Sequence, residues 1–128
     1  MRKIIALSEN NMDNQQLKNK HLFDNVLFPI IEDIYMKSDK VYLTLFWEAG
    51  IVVDAVIDSI GESEDQYEQS CMSIVVNMID IKSIANNDVE EGLFGFTLKS
   101  GEYNELYYDN IPDKITYQGK VIWDITSY

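Results

Sequence analysis

Apolar positions along the chain change period once, and the change divides it into two parts. From Asn14 to Tyr35 the residues Leu17, Leu22, Phe23, Val26, Leu27, Ile30, Ile31, Ile34 and Tyr35 recur at three and four, which predicts a helix with one broad apolar face. Asp13 or Asn14 can cap its start. Pro29 lies inside the pattern and removes one backbone donor, so the helix is kinked there or split in two. The apolar face continues past Pro29 unchanged, which favours a kink.

After "KSDK" (37–40) the pattern alternates, as in a strand with one buried face. Val41, Leu43, Leu45 and Trp47 share one face, and Ile51, Val53, Ala55 and Ile57 share one face of the next strand. With "EAG" (48–50) as the turn and Gly50 at positive φ, Trp47 faces Ile51, Leu45 faces Val53, Leu43 faces Ala55 and Val41 faces Ile57. A slip of one residue would put Asp54 and Asp58 into the core, so the register is well specified. The opposite face carries Tyr42, Phe46, Val52 and Val56 beside Thr44, Asp54 and Asp58, which is too apolar to stand wholly in water. Another element or a partner is expected to cover it.

"SCMSIVVNMIDI" (70–81) reads as a third strand, with Met72, Ile74, Val76 and Met78 on one side and Ser73, Val75, Asn77 and Ile79 on the other. The decamer "GESEDQYEQS" (61–70) is then the connection before it, and "ANNDVEEG" (85–92) is a second acidic connection. "LFGFTL" (93–98) is a fourth strand, turning at Ser100 and Gly101 into "EYNELYY" (102–108) so that Leu98 meets Tyr103, Phe96 meets Glu105 and Phe94 meets Tyr107. "DNIPD" (109–113) breaks the chain, and "KITY" and "KVIWDI" flank Gln118 and Gly119 as a last hairpin. The expected class is α+β: an N-terminal helix packed on an antiparallel sheet built from serial hairpins.

A length of 128 residues suits one domain spanning 1–128, and with 46% apolar residues the chain can bury a sizeable core without disulfide or metal. "MRKIIALSEN" holds only a four-residue apolar run, Ile4 to Leu7, short of a secretory signal, and no stretch approaches a membrane span, so a cytoplasmic protein is expected. The single Cys71 is expected to pack as a small apolar residue.

The formal net charge is −12, and it is unevenly spread. Residues 1–60 hold nine acids and six bases, residues 61–110 eleven and two, and residues 111–128 two of each. Such a field repels nucleic acid and anionic membrane and quickens encounter with basic partners. In the middle segment Glu62, Glu64, Asp65, Tyr67, Glu68, Glu102, Tyr103, Glu105, Tyr107, Tyr108 and Asp109 combine tyrosine with carboxylate, the composition of a surface that grips arginine and lysine. The alternative is that these tyrosines are sheet residues, half of them facing the core.

Catalytic chemistry has little to work with. His21 is the one histidine and lies on the predicted helix, and a Cys71 nucleophile would need the strand to meet it. No phosphate loop, nucleophile elbow, zinc-protease or EF-hand motif is present, so neither a cofactor nor a metal is expected. Asp54 and Asp58 share a strand face about 13 Å apart, too far for one acid and base pair. The expectation is a non-enzyme.

This build, with "FWEAGIVVDAVID" (46–58) and the closing "YYDNIPDKITYQGKVIWDI" (107–125), resembles the immunity proteins of bacterial contact-dependent inhibition and other polymorphic toxin systems. The resemblance implies a cytoplasmic inhibitor that binds the C-terminal domain of a cognate toxin, commonly a basic nuclease, and blocks it stoichiometrically. Two other classes fit the same chain: a phage or plasmid protein that mimics nucleic acid to block a host DNA-binding complex, and a small carboxylate-dependent enzyme.

Overall fold

The computed structural model describes residues 12–47, 50–83 and 101–128. A helical rod covers one face of a six-stranded antiparallel sheet, the α+β arrangement that the change of period predicts. The predicted strand 93–98, its pairing with 102–108 and the connection 85–92 lie outside the described residues.

Helix α1 (Asn14–Leu22) begins with a reciprocal cap: Asp13 Oδ1 accepts from the Gln16 amide at 2.7 Å, and Gln16 Oε1 accepts from the Asp13 amide at 3.1 Å. At Phe23–Leu27 the backbone widens into a π turn, with the Phe28 amide donating to the Phe23 carbonyl, and helix α2 (Phe28–Met36) follows. Pro29 stands in the first turn of α2, where a missing N–H costs least. The expected kink is thus resolved by a π turn placed just before the proline. That turn spaces the buried pair Leu22 and Phe23 five residues from the buried pair Leu27 and Phe28, with Ile31 completing the stripe. Burying each such side chain stabilises the fold by about 1.5–3 kcal/mol. Leu17, expected on this face, is 42% exposed because the stripe begins only at Leu22.

The strands are β1 (Tyr42–Trp47), β2 (Ile51–Glu64), β3 (Ser70–Ser83), β4 (Tyr103–Leu106), β5 (Lys114–Tyr117) and β6 (Lys120–Asp124). The β1–β2 register is the predicted one: Leu43 opposes Ala55, Leu45 opposes Val53, Trp47 opposes Ile51, and Gly50 has φ of 79°. At its far end the Ile57 amide donates to the Val41 carbonyl. The last hairpin also matches, with Gln118 at φ 53° and Gly119 at φ 78°.

Three features depart from expectation. First, half of the acidic decamer is not a connection: Gly61–Glu64 belong to β2, Ser70 opens β3, and the turn is only Asp65–Gln69. Second, β3 does not keep one alternation. Ile74, Val76 and Met78 are buried as predicted, but Cys71 and Ser73 are buried nearer the turn while Met72 is only half-buried. Register shifts at Val52/Val53, Asp54/Ala55 and Ile57/Ser59 mark bulges that break the period of two.

Third, the hairpins are not laid down serially. The sheet order is β4-β3-β2-β1-β5-β6, so the chain leaves β4 and reappears beside β1 on the far side of β2 and β3. A 3₁₀ turn, Tyr108–Asn110, begins this crossing, and Tyr108, Asn110, Ile111 and Pro112 are all buried. Two indoles hold it: Trp47 Nε1 donates to the Asn110 carbonyl at 3.0 Å and Trp123 Nε1 to the Pro112 carbonyl at 2.8 Å. Gln16 of α1 donates to Asp109 from above. The predicted strand 102–108 is shortened to Tyr103–Leu106 because the chain turns into this strap.

Candidate functional site

The end of the β2–β3 hairpin concentrates the exposed carboxylates. Glu62, Glu64 and Glu68 are exposed and line one open recess of about 620 Å³ together with Ser63 and Ser70. None of these five residues is basic. The recess has its shape because the turn beneath it is held rigidly, and the holder is Asp65.

Asp65 is the fourth carboxylate of the decamer and behaves unlike the others. Only 8% exposed, it accepts from the Tyr67 amide at 2.8 Å and the Gln69 amide at 2.9 Å through Oδ1, and from the Tyr108 hydroxyl at 2.7 Å through Oδ2. Its backbone closes the loop as well, donating to the Gln69 carbonyl and accepting from the Glu68 amide. This places Glu68 at φ 60°, a left-handed conformation that a non-glycine residue adopts only under such restraint. Asp65 is therefore fully committed inside the turn, and the outward charge belongs to the glutamates.

A second carboxylate, half-buried, joins the hairpin to the helix. Asp24, in the π turn, accepts from the Met72 amide at 3.0 Å and from Lys20 Nζ at 2.7 Å. Lys20 also donates to the Ser70 carbonyl and lies 5.9 Å from the centre of the Tyr108 ring. The widened turn brings Asp24 to a strand amide 48 positions away.

The negative field here is legible in neighbouring acids. Burial pushes the Cys71 thiol up to about 11, with the charges of Asp24 and Asp65 adding to the effect. Burial also raises the Tyr107 phenol, assisted by Asp109. The Tyr108 phenol rises further, through burial and its hydrogen bond to Asp65. Protons held this firmly suit donors and packing groups; a nucleophile needs the opposite shift. His21 is exposed and contacts Asn25 within its own helix, while Cys71 is buried.

The remaining predicted contact residues separate by position. Tyr103 is 60% exposed on β4, and Glu102 and Glu105 are exposed beside it. Tyr67 and Tyr107 are half-buried against the core, and Asp109 is half-buried and bonded to Gln16. Tyr108, grouped with them in the sequence, is fully buried. Thus Glu62, Glu64 and Glu68 come together at the hairpin end, Glu102, Tyr103 and Glu105 form a second group on β4, and Asp65 and Tyr108 tie the scaffold together beneath.

The face of the sheet away from the helix carries a row that crosses four strands, Tyr42, Val56, Asn77 and Tyr103. Tyr42 is 55% exposed and the nearby Ile79 is 41% exposed. The sequence marks the β1–β2 part of this face as too apolar for water, and of the row it singles out only Tyr103 as a partner contact.

Among the described residues no helix is long and apolar enough to cross a membrane, and no group of three or more His, Cys, Asp or Glu side chains is placed to hold a metal ion. Compared with protein-family models, curated proteins and solved structures, the chain matches none.

Proposed function

We propose that this chain is an immunity-type inhibitor that acts in the cytoplasm by binding the C-terminal domain of a cognate bacterial toxin, a basic nuclease, in a stoichiometric complex. The observation that carries this reading is the open recess edged by Glu62, Glu64 and Glu68, presented on a turn that Asp65 makes rigid. Carboxylates gathered around one recess on a fixed frame can take the positions that substrate phosphates take in a basic cleft, and a preorganised frame lowers the entropic cost of binding. Glu102, Tyr103 and Glu105 extend the acidic and aromatic character along β4. Steering by this charge quickens association and makes it sensitive to salt.

The test is capture from the source bacterium at low salt with elution by a salt step, followed by association kinetics. Recovery of one basic toxin domain, with an association rate that falls several-fold when Glu62, Glu64 and Glu68 are replaced together by glutamine, is the expected result. A captured domain that associates at an unchanged rate would remove these glutamates from the interface. Capture of a host DNA-binding complex would favour nucleic-acid mimicry instead.

A further inference from the structure

On the sheet face away from the helix, a cavity of about 340 Å³ opens between β1, β2 and the β5–β6 turn. Its size lies at the lower end of ligand sites, about 300–1,000 Å³. Tyr42 and Ile79, both exposed, form apolar walls; Thr44, Asp54, Thr116 and Gly119 supply the polar lining. Strand register places these groups together: Thr44 opposes Asp54 on one side and Thr116 on the other.

The hydrogen bonding gives this cavity a definite polarity. The Thr44 hydroxyl donates to Asp54 Oδ1 at 2.7 Å, so its proton is committed and it offers an incoming group only lone pairs. Asp54 Oδ2 has Lys82 Nζ at 3.4 Å, longer than the 2.7–2.9 Å or so of a tight charge-assisted hydrogen bond, and Lys82 is about half exposed. The cavity therefore presents a carboxylate with a loosely held counterion and an adjacent acceptor between an aromatic and an aliphatic wall. A planar guanidinium matches all of these: it stacks on apolar and aromatic faces, has five donors in a fork, and sheds water more easily than an ammonium.

We propose that this cavity is a receptor for an arginine side chain of the protein partner, with Asp54 taking the charge, Thr44 accepting a further N–H and Tyr42 packing on the guanidinium plane. The proposal rests on the reading of a basic protein partner and names a second anchor for it. Asp54 lies ten residues along β2 from Glu64, about 33 Å at 3.3 Å per residue, comparable with the roughly 30 Å width of a small domain. One toxin domain can thus touch both.

Titration of the protein with N-acetylarginine amide, followed by backbone amide shifts, tests the cavity without the partner. Saturating shifts at Thr44, Asp54, Thr116 and Gly119, absent with the neutral citrulline analogue, are expected. Asp54→Asn should weaken binding about tenfold, and Lys82→Gln should strengthen it about threefold by removing the competing cation. Tyr42→Ser, at a position that is 55% exposed, should weaken it as well. Shifts that citrulline reproduces, or binding that survives both Asp54→Asn and Tyr42→Ser, would overturn the proposal. A captured toxin domain whose affinity ignores these two changes would overturn the cavity while leaving the inhibitor reading intact. Saturable arginine binding with no basic protein captured would keep the cavity and sink the inhibitor.

Discussion

The Tyr108 hydroxyl donates to the Asp65 carboxylate at 2.7 Å, joining the chain crossing after β4 to the turn between β2 and β3 across 43 positions of sequence. Both groups are buried, so each depends on the other for satisfaction. Tyr108→Phe preserves the ring and removes one hydrogen bond to a charged acceptor, which should cost about 1.5–3 kcal/mol. Asp65→Ala should cost more, because it also strands the Tyr67 and Gln69 amides. Urea denaturation of the two variants and of the double variant checks this: the double should lose less than the sum of the singles.

The π turn makes a separate prediction through Asp24. Asp24→Ala removes both the Lys20 ion pair and the acceptor of the Met72 amide, and should destabilise by about 2 kcal/mol or more. Asp24→Asn retains an acceptor for that amide and should lose about half as much. Equal losses in the two variants, read from urea midpoints, would show that the ion pair alone matters.

How far these features were legible differs by kind. The alternation from Val41 to Ile57 determines its own register, because any slip buries Asp54 and Asp58, and the structure keeps that register. The helix announced itself through nine apolar positions, yet the π turn left no separate signal beyond Pro29 standing inside the pattern. Asp65 was hidden by its neighbours: in a run with Glu62, Glu64 and Glu68, nothing local marks which carboxylate turns inward, since its partners Tyr108 and the Gln69 amide meet it only in the folded chain. The crossing between β4 and β5 was equally hidden. Its anchors are two indole donors whose carbonyl acceptors carry no sequence signature. Ser73 and Ile74 are adjacent and both buried, so the inward side of β3 changes there, close to the bulge that Asp58 makes in β2, and Met72 and Cys71 exchange their expected sides.

Alkaline pH should weaken the fold, in a window set by Cys71. Its thiol is raised from 9.0 to about 11, so the folded chain keeps a proton that the unfolded chain releases above pH 9. The contribution is whole below pH 9 and is lost as pH rises through 11. Tyr107 and Tyr108, raised from 10.0, act in the same direction above pH 10. Stability measured by urea from pH 8 to 11 should therefore fall, and Cys71→Ala should flatten the early part of the fall while leaving the later part. At pH 8 the folded thiol should react with a disulfide reagent about a hundredfold more slowly than in urea, since two pKa units remove that share of thiolate.

The β5–β6 turn offers a gain. Gln118 and Gly119 both have positive φ, the two-residue geometry that Asn-Gly fits best. Gln118→Asn should stabilise by about 0.5–1 kcal/mol, whereas Gly119→Ala should destabilise by about 1 kcal/mol. No neighbour lies within 4 Å of the added Cβ at Gly119, so that loss reports backbone strain alone. Thermal unfolding midpoints of the two variants should move in opposite directions.

The hairpin end should show the opposite balance between stability and binding. Glu62, Glu64 and Glu68 are exposed around one recess, and like charges gathered this way repel in the folded state more than in an extended chain. Replacing all three by glutamine should leave the fold intact and raise its stability at low ionic strength by up to about 1 kcal/mol, a gain that 1 M salt should abolish because it shortens the screening length to about 3 Å. A residue set that only solvates the surface would show this gain with no loss elsewhere. A set retained for binding would show it together with slower association with a captured partner, so measuring urea stability and association rate on the same triple variant, at both salt concentrations, separates the two.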